Sequence, residues 1–139
     1  MFNFDELNVY DRNILRIAEN EMPRETKKFV RTEGRKLKTK TKKKARSKVK
    51  KRTGNYFKGI KNGKVYKYSG NGGTSIRVYS GKPAHHAHLI EYGHVIRNKA
   101  GEEVGFAPGY HVFQEAADEF QPEFYSDTQK FINEMADEL

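Results

Sequence analysis

Between Arg24 and Arg52, sixteen of 29 residues are Lys or Arg and only Glu25 and Glu33 are acidic, a net charge of +14. A segment so rich in one charge cannot close a core on itself. It turns at most a narrow face inward and meets water or an anionic partner with the rest. From Glu102 to Leu139 the balance reverses, with ten acids against Lys130, a net of −9. The whole-chain charge of +9 thus conceals a polarity along the sequence, and the two ends can attract each other within a subunit or between neighbours.

A chain of 139 residues fits a single domain spanning 1–139. Only about two thirds of its unfolded surface is buried at this size. With 35% apolar residues and no Trp, the core draws on nine Phe, eight Tyr and scattered Ile, Leu and Val. Cysteine is absent, which excludes disulfides and thiolate metal sites. The opening MFNFDELNVYDRN has acids and no basic segment before an apolar run, so it does not read as a signal peptide. No stretch approaches the ~20 apolar residues of a membrane helix, and no membrane association is expected.

Leu7, Tyr10, Ile14, Ile17, Ala18 and Met22 recur at helical steps, predicting a first helix capped by Asn3 or Asp5. Beyond Pro23 the composition predicts a basic helix with Gly34 as a candidate break. The low-complexity stretch within 35–52 is a candidate for disorder in the isolated protein. Phe57 and Ile60 before Asn62-Gly63, and Val65, Tyr66 and Tyr68 after it, predict a tight hairpin. Ser69 to Gly73 reads as a flexible connection, and Thr74 to Ser80 alternates Ile76, Val78 and Ser80 with Arg77 and Tyr79, as a third strand does. Phe113, Ala116, Ala117, Phe120, Phe124, Phe131, Ile132 and Met135 follow a helical period that Pro122 divides into two pieces. The class is therefore α+β: a small antiparallel meander flanked by a long basic N-terminal helical region and C-terminal helices.

Four of the five histidines fall in PAHHAHLIEYGH, residues 83–94. His86 and His88 share a face only in a strand, whereas His85 and His88, or His88 and Glu91, adjoin only on a helix. No one conformation gathers them, and the zinc spacings with a mechanism are absent, so neither a metal nor any other cofactor is expected. No serine is set for a triad, no second carboxylate is spaced to work with Glu91, and Gly70-Asn71-Gly72-Gly73 lacks the lysine of a phosphate-binding loop. Nothing in the sequence points to an enzyme.

Arg52-Thr53-Gly54, Ala87-His88-Leu89-Ile90-Glu91-Tyr92-Gly93, and Pro108 before Phe113-Gln114-Glu115-Ala116 together resemble the small neck or tail-completion proteins of tailed bacteriophages. The long charged N-terminal helix fits the same pattern. His86, His94 and Gly59 depart from it. The resemblance implies a non-enzymatic α+β subunit of the head–tail connector. Such a subunit forms a ring of six between capsid portal and tail, assembles in the host cytoplasm, and resides in the virion beside other head-completion and tail proteins.

In that picture Leu89, Ile90 and Tyr92 pack inward with Phe113, Ala116 and Phe120, Gly93 permits a turn, and Glu91 accepts hydrogen bonds. Lys42, Lys43, Lys44, Arg46 and Arg52 meet acidic C-terminal helices of an adjacent subunit or another connector protein. The segment from His94 to Ala107, with Glu102 and Glu103, is expected to project as a loop toward a neighbour or the tail. The alternative reading is a sequence-independent nucleic-acid-binding protein that grips phosphates with residues 24–52 and stacks bases on Tyr56 and Phe57. Non-specific contact with DNA is compatible with both.

Overall fold

The computed structural model describes residues 2–6, 23–50, 54–70 and 72–138. In chain order the elements are β1 (Phe2–Glu6), α1 (Pro23–Lys48), α2 (Asn55–Lys58), β2 (Ile60–Asn62), β3 (Tyr66–Lys67), β4 (Thr74–Ser75), β5 (Arg77–Ser80), α3 (Ala87–Tyr92), β6 (Gly93–Arg97), β7 (Glu103–Pro108) and α4 (Val112–Glu138). The class is α+β, with two long helices and small antiparallel sheets. The expected first helix is preceded by a strand over Phe2–Glu6, and its residues from Leu7 to Met22 lie outside the described residues.

Helix α1 runs unbroken for 26 residues, and Arg35 to Lys48 lie within it. Lys and Arg are good helix formers, and the packing comes from one narrow stripe: Thr26, Val30, Glu33, Gly34, Leu37, Thr41 and Ala45 are buried at three- and four-residue steps. Gly34 does not break the helix. A Cβ there would sit 2.8 Å from Ile76 Cδ1 and 2.9 Å from its Cγ2, so the missing side chain lets the helix backbone lie against the strand segment. Alongside it, the Asn62 side-chain amide donates to the Gly34 carbonyl at 3.0 Å.

Helix α4 packs antiparallel to α1. Phe29, near the start of α1, stacks on Phe131 at 4.4 Å between ring centroids, Lys36 reaches Asp127 at 2.8 Å, and towards the end of α1 Lys44 meets Glu119 and Lys48 meets Glu115. The run predicted as two pieces is one helix with Pro122 inside. Pro122 and Asp118, whose carbonyl loses its partner, both face solvent, while Phe120 and Phe124 keep the buried stripe continuous across the proline. Val30, Leu37, Phe113, Ala116, Phe120 and Phe124 form the helical half of the core, and Tyr56, Ile60, Ile76, Val78, Ala84 and Ala87 close it from the other side. Two buried hydroxyls are satisfied inside their own helices, Thr41 donating to the Leu37 carbonyl and Thr128 to that of Phe124.

The Asn62-Gly63 hairpin does not form. β2 pairs with β5 (Ile60↔Ser80, Asn62↔Val78) and β3 with β4 (Tyr66↔Ser75, Lys67↔Thr74), so the chain doubles back once, at Tyr68 to Gly73. There the Tyr68 amide donates to the Gly73 carbonyl and the Gly72 amide to that of Tyr68. The segment expected as a mere connection is therefore the turn. Asn62 holds the Gly34 carbonyl instead, and Gly63 N–H donates to the Arg77 carbonyl, so the chain stays paired with the Arg77 segment where a tight turn was expected. Phe57, expected in a strand, lies with Tyr56 on the short α2, entered through Gly54 at φ +82°. β1 adds to the outer side of β5 to give the order β1-β5-β2.

One buried group opposes this packing. Glu33 Oε1 has no hydrogen-bond partner, and its Oε2 lies 3.4 Å from Lys36 Nζ. Burial, and then the Asp127 carboxylate beside it, push Glu33 up to about 8 against the pull of Lys36. Burial works to raise Asp127 too, but the hydrogen bond from Lys36 and the neighbouring Glu33 carboxyl hold it below its ordinary value. Near neutral pH Glu33 is thus a neutral acid beside an ionised one. In the unfolded chain Glu33 ionises from its ordinary value of 4.5 upward, whereas the folded chain keeps the proton to about 8. Its contribution to stability therefore falls as pH rises through that window. Glu33→Gln, neutral at every pH, is expected to melt about 3–8 °C above wild type beyond pH 8, with the difference shrinking toward pH 5. Thermal melts followed by circular dichroism across pH check this, and a difference independent of pH would contradict it.

Candidate assembly interface

The joint between α3 and α4 is built around Glu91. Its side chain is fully buried at the end of α3, where Oε1 accepts the Phe113 N–H at 3.0 Å and Oε2 the Gln114 N–H at 3.1 Å. These amides belong to the first turn of α4, which lacks carbonyl partners within its own helix, and a carboxylate there also complements the helix dipole. The main chain adds two more ties, Tyr110 N–H to the Ile90 carbonyl (2.8 Å) and His111 N–H to that of Glu91 (3.2 Å). Gly93 has φ +86°, and a Cβ on it would collide with the Ala107 carbonyl oxygen; a Cβ on Gly109 would collide with the Glu91 carbonyl. Two glycines and one carboxylate therefore fix where the chain leaves α3 and where it enters α4.

Between those fixed points the expected loop is a regular hairpin. β6 and β7 pair antiparallel with His94 opposite Ala107, Val95 opposite Phe106 and Ile96 opposite Gly105, and a bulge lies beyond Ile96. The tip is closed by Asn98, whose side-chain oxygen accepts the N–H groups of Ala100 and Glu102, by Gly101 at φ +84°, and by an Arg97–Glu103 ion pair at 3.2 Å. Turn residues Asn98 to Gly101 between HVIR and EVGFAP were the sequence signal for this hairpin.

The hairpin is also where apolar surface is left uncovered. Eight large apolar side chains are exposed among the described residues, and seven of them lie between Leu89 and Tyr110. Val104 and Phe106 are each 60% exposed. Val95 and Phe106 share one face as a cross-strand pair, while Ile96 lies on the other, so both faces of the ribbon are apolar. The inward packing expected of Leu89 and Tyr92 is corrected: they are 39% and 51% exposed, because 87–92 is a helix whose one buried side carries Ala87 and Glu91. Ile90 is half-buried against the core, and Phe113, Ala116 and Phe120 are fully inside it.

The other expected interface residues are separated from this surface. Lys44 faces α4 of its own chain and pairs with Glu119 and Glu115, whereas Lys42, Lys43 and Arg46 make no ion pair among the described residues. Lys44, with further help from Lys40 and Lys48, holds Glu119 below its ordinary pKa. Arg52 lies outside the described residues. Glu102 and Glu103 sit at the hairpin tip. His85, His86, His88 and His94 are all exposed, and among the described residues no group of three or more His, Cys, Asp and Glu is placed to hold a metal ion. No helix of the described residues is long and apolar enough to cross a membrane. The sequence reading missed Glu33 and the Tyr56 hydroxyl as buried polar groups; an acid in register with Val30 and Leu37 was the available signal for the first.

Removal of the Glu91 carboxylate leaves two amides of the α4 first turn without partners. Glu91→Ala is expected to lower stability by about 2–4 kcal/mol, and Glu91→Gln, which keeps one acceptor, by less. Denaturant titration checks the order, and equal losses for the two would contradict the capping role.

The sequence model described as "Bacteriophage HK97-gp10, putative tail-component" matches residues 14–93, more than half of the chain. The matched span includes all of α1 and ends at Gly93, where β6 begins. No curated protein and no solved structure matches. By that match, the chain belongs to the HK97-gp10-like family of bacteriophage tail components.

Proposed function

We propose that the protein is a structural subunit of the phage neck, forming a closed ring of about six copies that joins the capsid portal complex to the tail. The observation that carries this is the β6–β7 hairpin. A two-stranded ribbon is marginal by itself in water. This one has apolar residues on both faces, stands on a rigid base at Glu91, Gly93 and Gly109, and exposes Val95, Ile96, Val104 and Phe106. Such a ribbon gains its stability by lying on another molecule.

A ring is made by a heterologous contact, in which one surface of each copy meets a different surface of the next. The hairpin supplies the first surface. A half-apolar cleft of about 380 Å³ lined by residues including Val49, Phe57, Ile90 and Tyr110 is suited to be the second, receiving Phe106 or Val95 of the neighbour. Family membership as a tail component supports the structural role.

Sedimentation velocity and electron microscopy of the full chain test the proposal. Wild type is expected to form closed rings, and the double substitution Val95→Ser with Phe106→Ser is expected to leave monomers with an unchanged circular dichroism spectrum. Wild-type protein that stays monomeric at high concentration, or a double variant that still forms rings, would contradict it.

A further inference from the structure

Among the thirteen cations of helix α1, two sets stand apart. Lys36, Lys44 and Lys48 are on the α4 side and are neutralised by Asp127, Glu119 and Glu115. Lys27, Arg31, Arg35, Lys38, Lys42 and Arg46 are on the other. At 3.6 residues per turn these six fall within about 100° of arc and run about 28 Å along the helix, with neighbours at four-residue steps about 6 Å apart. None of them has an acidic partner among the described residues. Burial, and then Lys38 and Arg46 to either side, lower the pKa of Lys42. Rows of like charge at this spacing destabilise a helix by roughly 0.2–0.5 kcal/mol per pair.

The stripe opens at its N-terminal end into a cleft of about 460 Å³, where Lys27, Arg31 and Arg35 face Asn62, Gly63 and Lys64 across the gap. A helix carrying an uncompensated row of cations beside a groove with a further cation on its far wall fits a regular, flexible polyanion. Further copies of the same chain are a poor source of such an anion. Every subunit brings a net +9, so an assembly of them only accumulates positive charge, and the α4 carboxylates nearest α1 are already paired.

We propose that this flank of α1, with Lys64 across the cleft, is a binding surface for the phosphodiester backbone of nucleic acid, without sequence preference. Duplex DNA presents one phosphate per strand every 3.4 Å or so along its axis, so the length of the stripe spans about eight phosphates of a strand. The stripe has four lysines or arginines in addition to Arg31 and Arg35, and no aromatic side chain lines the cleft, which favours backbone contact over base stacking. The surface lies apart from the hairpin and does not depend on the ring.

The test is fluorescence anisotropy of the full-length protein with two unrelated 30-base-pair duplexes across a salt series. Equal affinity for the two duplexes is expected, with log K falling steeply against log salt. The quadruple variant Arg31→Ala, Arg35→Ala, Lys38→Ala and Lys42→Ala removes four contacts at exposed and half-buried helix positions, where alanine is the best helix former. It is expected to weaken binding at least 100-fold at 100 mM salt and to make the slope shallower by about 3.6. The control Lys82→Ala with Lys99→Ala, which removes exposed cations elsewhere, is expected to change neither by more than a few-fold. A quadruple variant with wild-type helicity, affinity and slope would overturn the proposal. So would a wild-type protein that does not bind at 50 mM salt, or one that binds poly-glutamate of matched charge as tightly as the duplex, which would make the surface a site for an acidic protein.

Discussion

A helix with the charge of α1 stays straight and packed because α4 lies antiparallel against it with carboxylates at matching heights. Each exposed ion pair between them is worth at most about 1 kcal/mol. Their value lies in register: Lys36 with Asp127, Lys44 with Glu119 and Lys48 with Glu115 all fit only when Phe29 stacks on Phe131 at the opposite end. Apolar burial by Val30, Leu37, Phe120 and Phe124 provides the larger share of the stabilisation, and the charges choose one alignment among those that burial would allow. The polarity along the sequence is thus neutralised first within the subunit. The largest row of cations left unneutralised on α1 is the flank facing away from α4.

The second structural decision is made at Glu91. By accepting two amides from the start of α4, its carboxylate converts the end of a six-residue helix into the anchor of a 27-residue one. The hairpin is inserted into that joint and inherits its rigidity through Gly93 and Gly109. The resulting arrangement is a stable body carrying an apolar arm at a fixed angle. The family match ends where the arm begins, so the scaffold up to Gly93 is the part that resembles its relatives in sequence.

Much of this was legible in the residues. The basic run and the acidic C-terminal segment announced oppositely charged helical regions, the Phe113–Phe124 period marked the core face of the second, and the alternation of Ile76, Val78 and Ser80 marked a strand. What failed did so where a distant contact outweighed a local signal. Asn62-Gly63 has the chemistry of a tight turn, but Asn62 serves the backbone of α1, 28 residues away in sequence, and the turn moved to the glycines that follow. Gly34 read as a break and is a close approach to Ile76. Pro122 read as a boundary, yet Asp118, whose carbonyl it deprives of a partner, is exposed to solvent. Leu89 and Tyr92 read as core in the picture the family resemblance implied, although in a six-residue helix only one side faces inward, and Ala87 and Glu91 take it.

The central claim is that the β6–β7 arm finds its cover on a second molecule. Hydrogen exchange at the amides of residues 93–108 measures this most directly, in dilute subunits and again at concentrations where the protein assembles. The account predicts fast exchange along the arm in dilute solution and strong protection on assembly, with α1 and α4 core amides protected in both. Arm amides that exchange equally fast in dilute and assembled protein would contradict it.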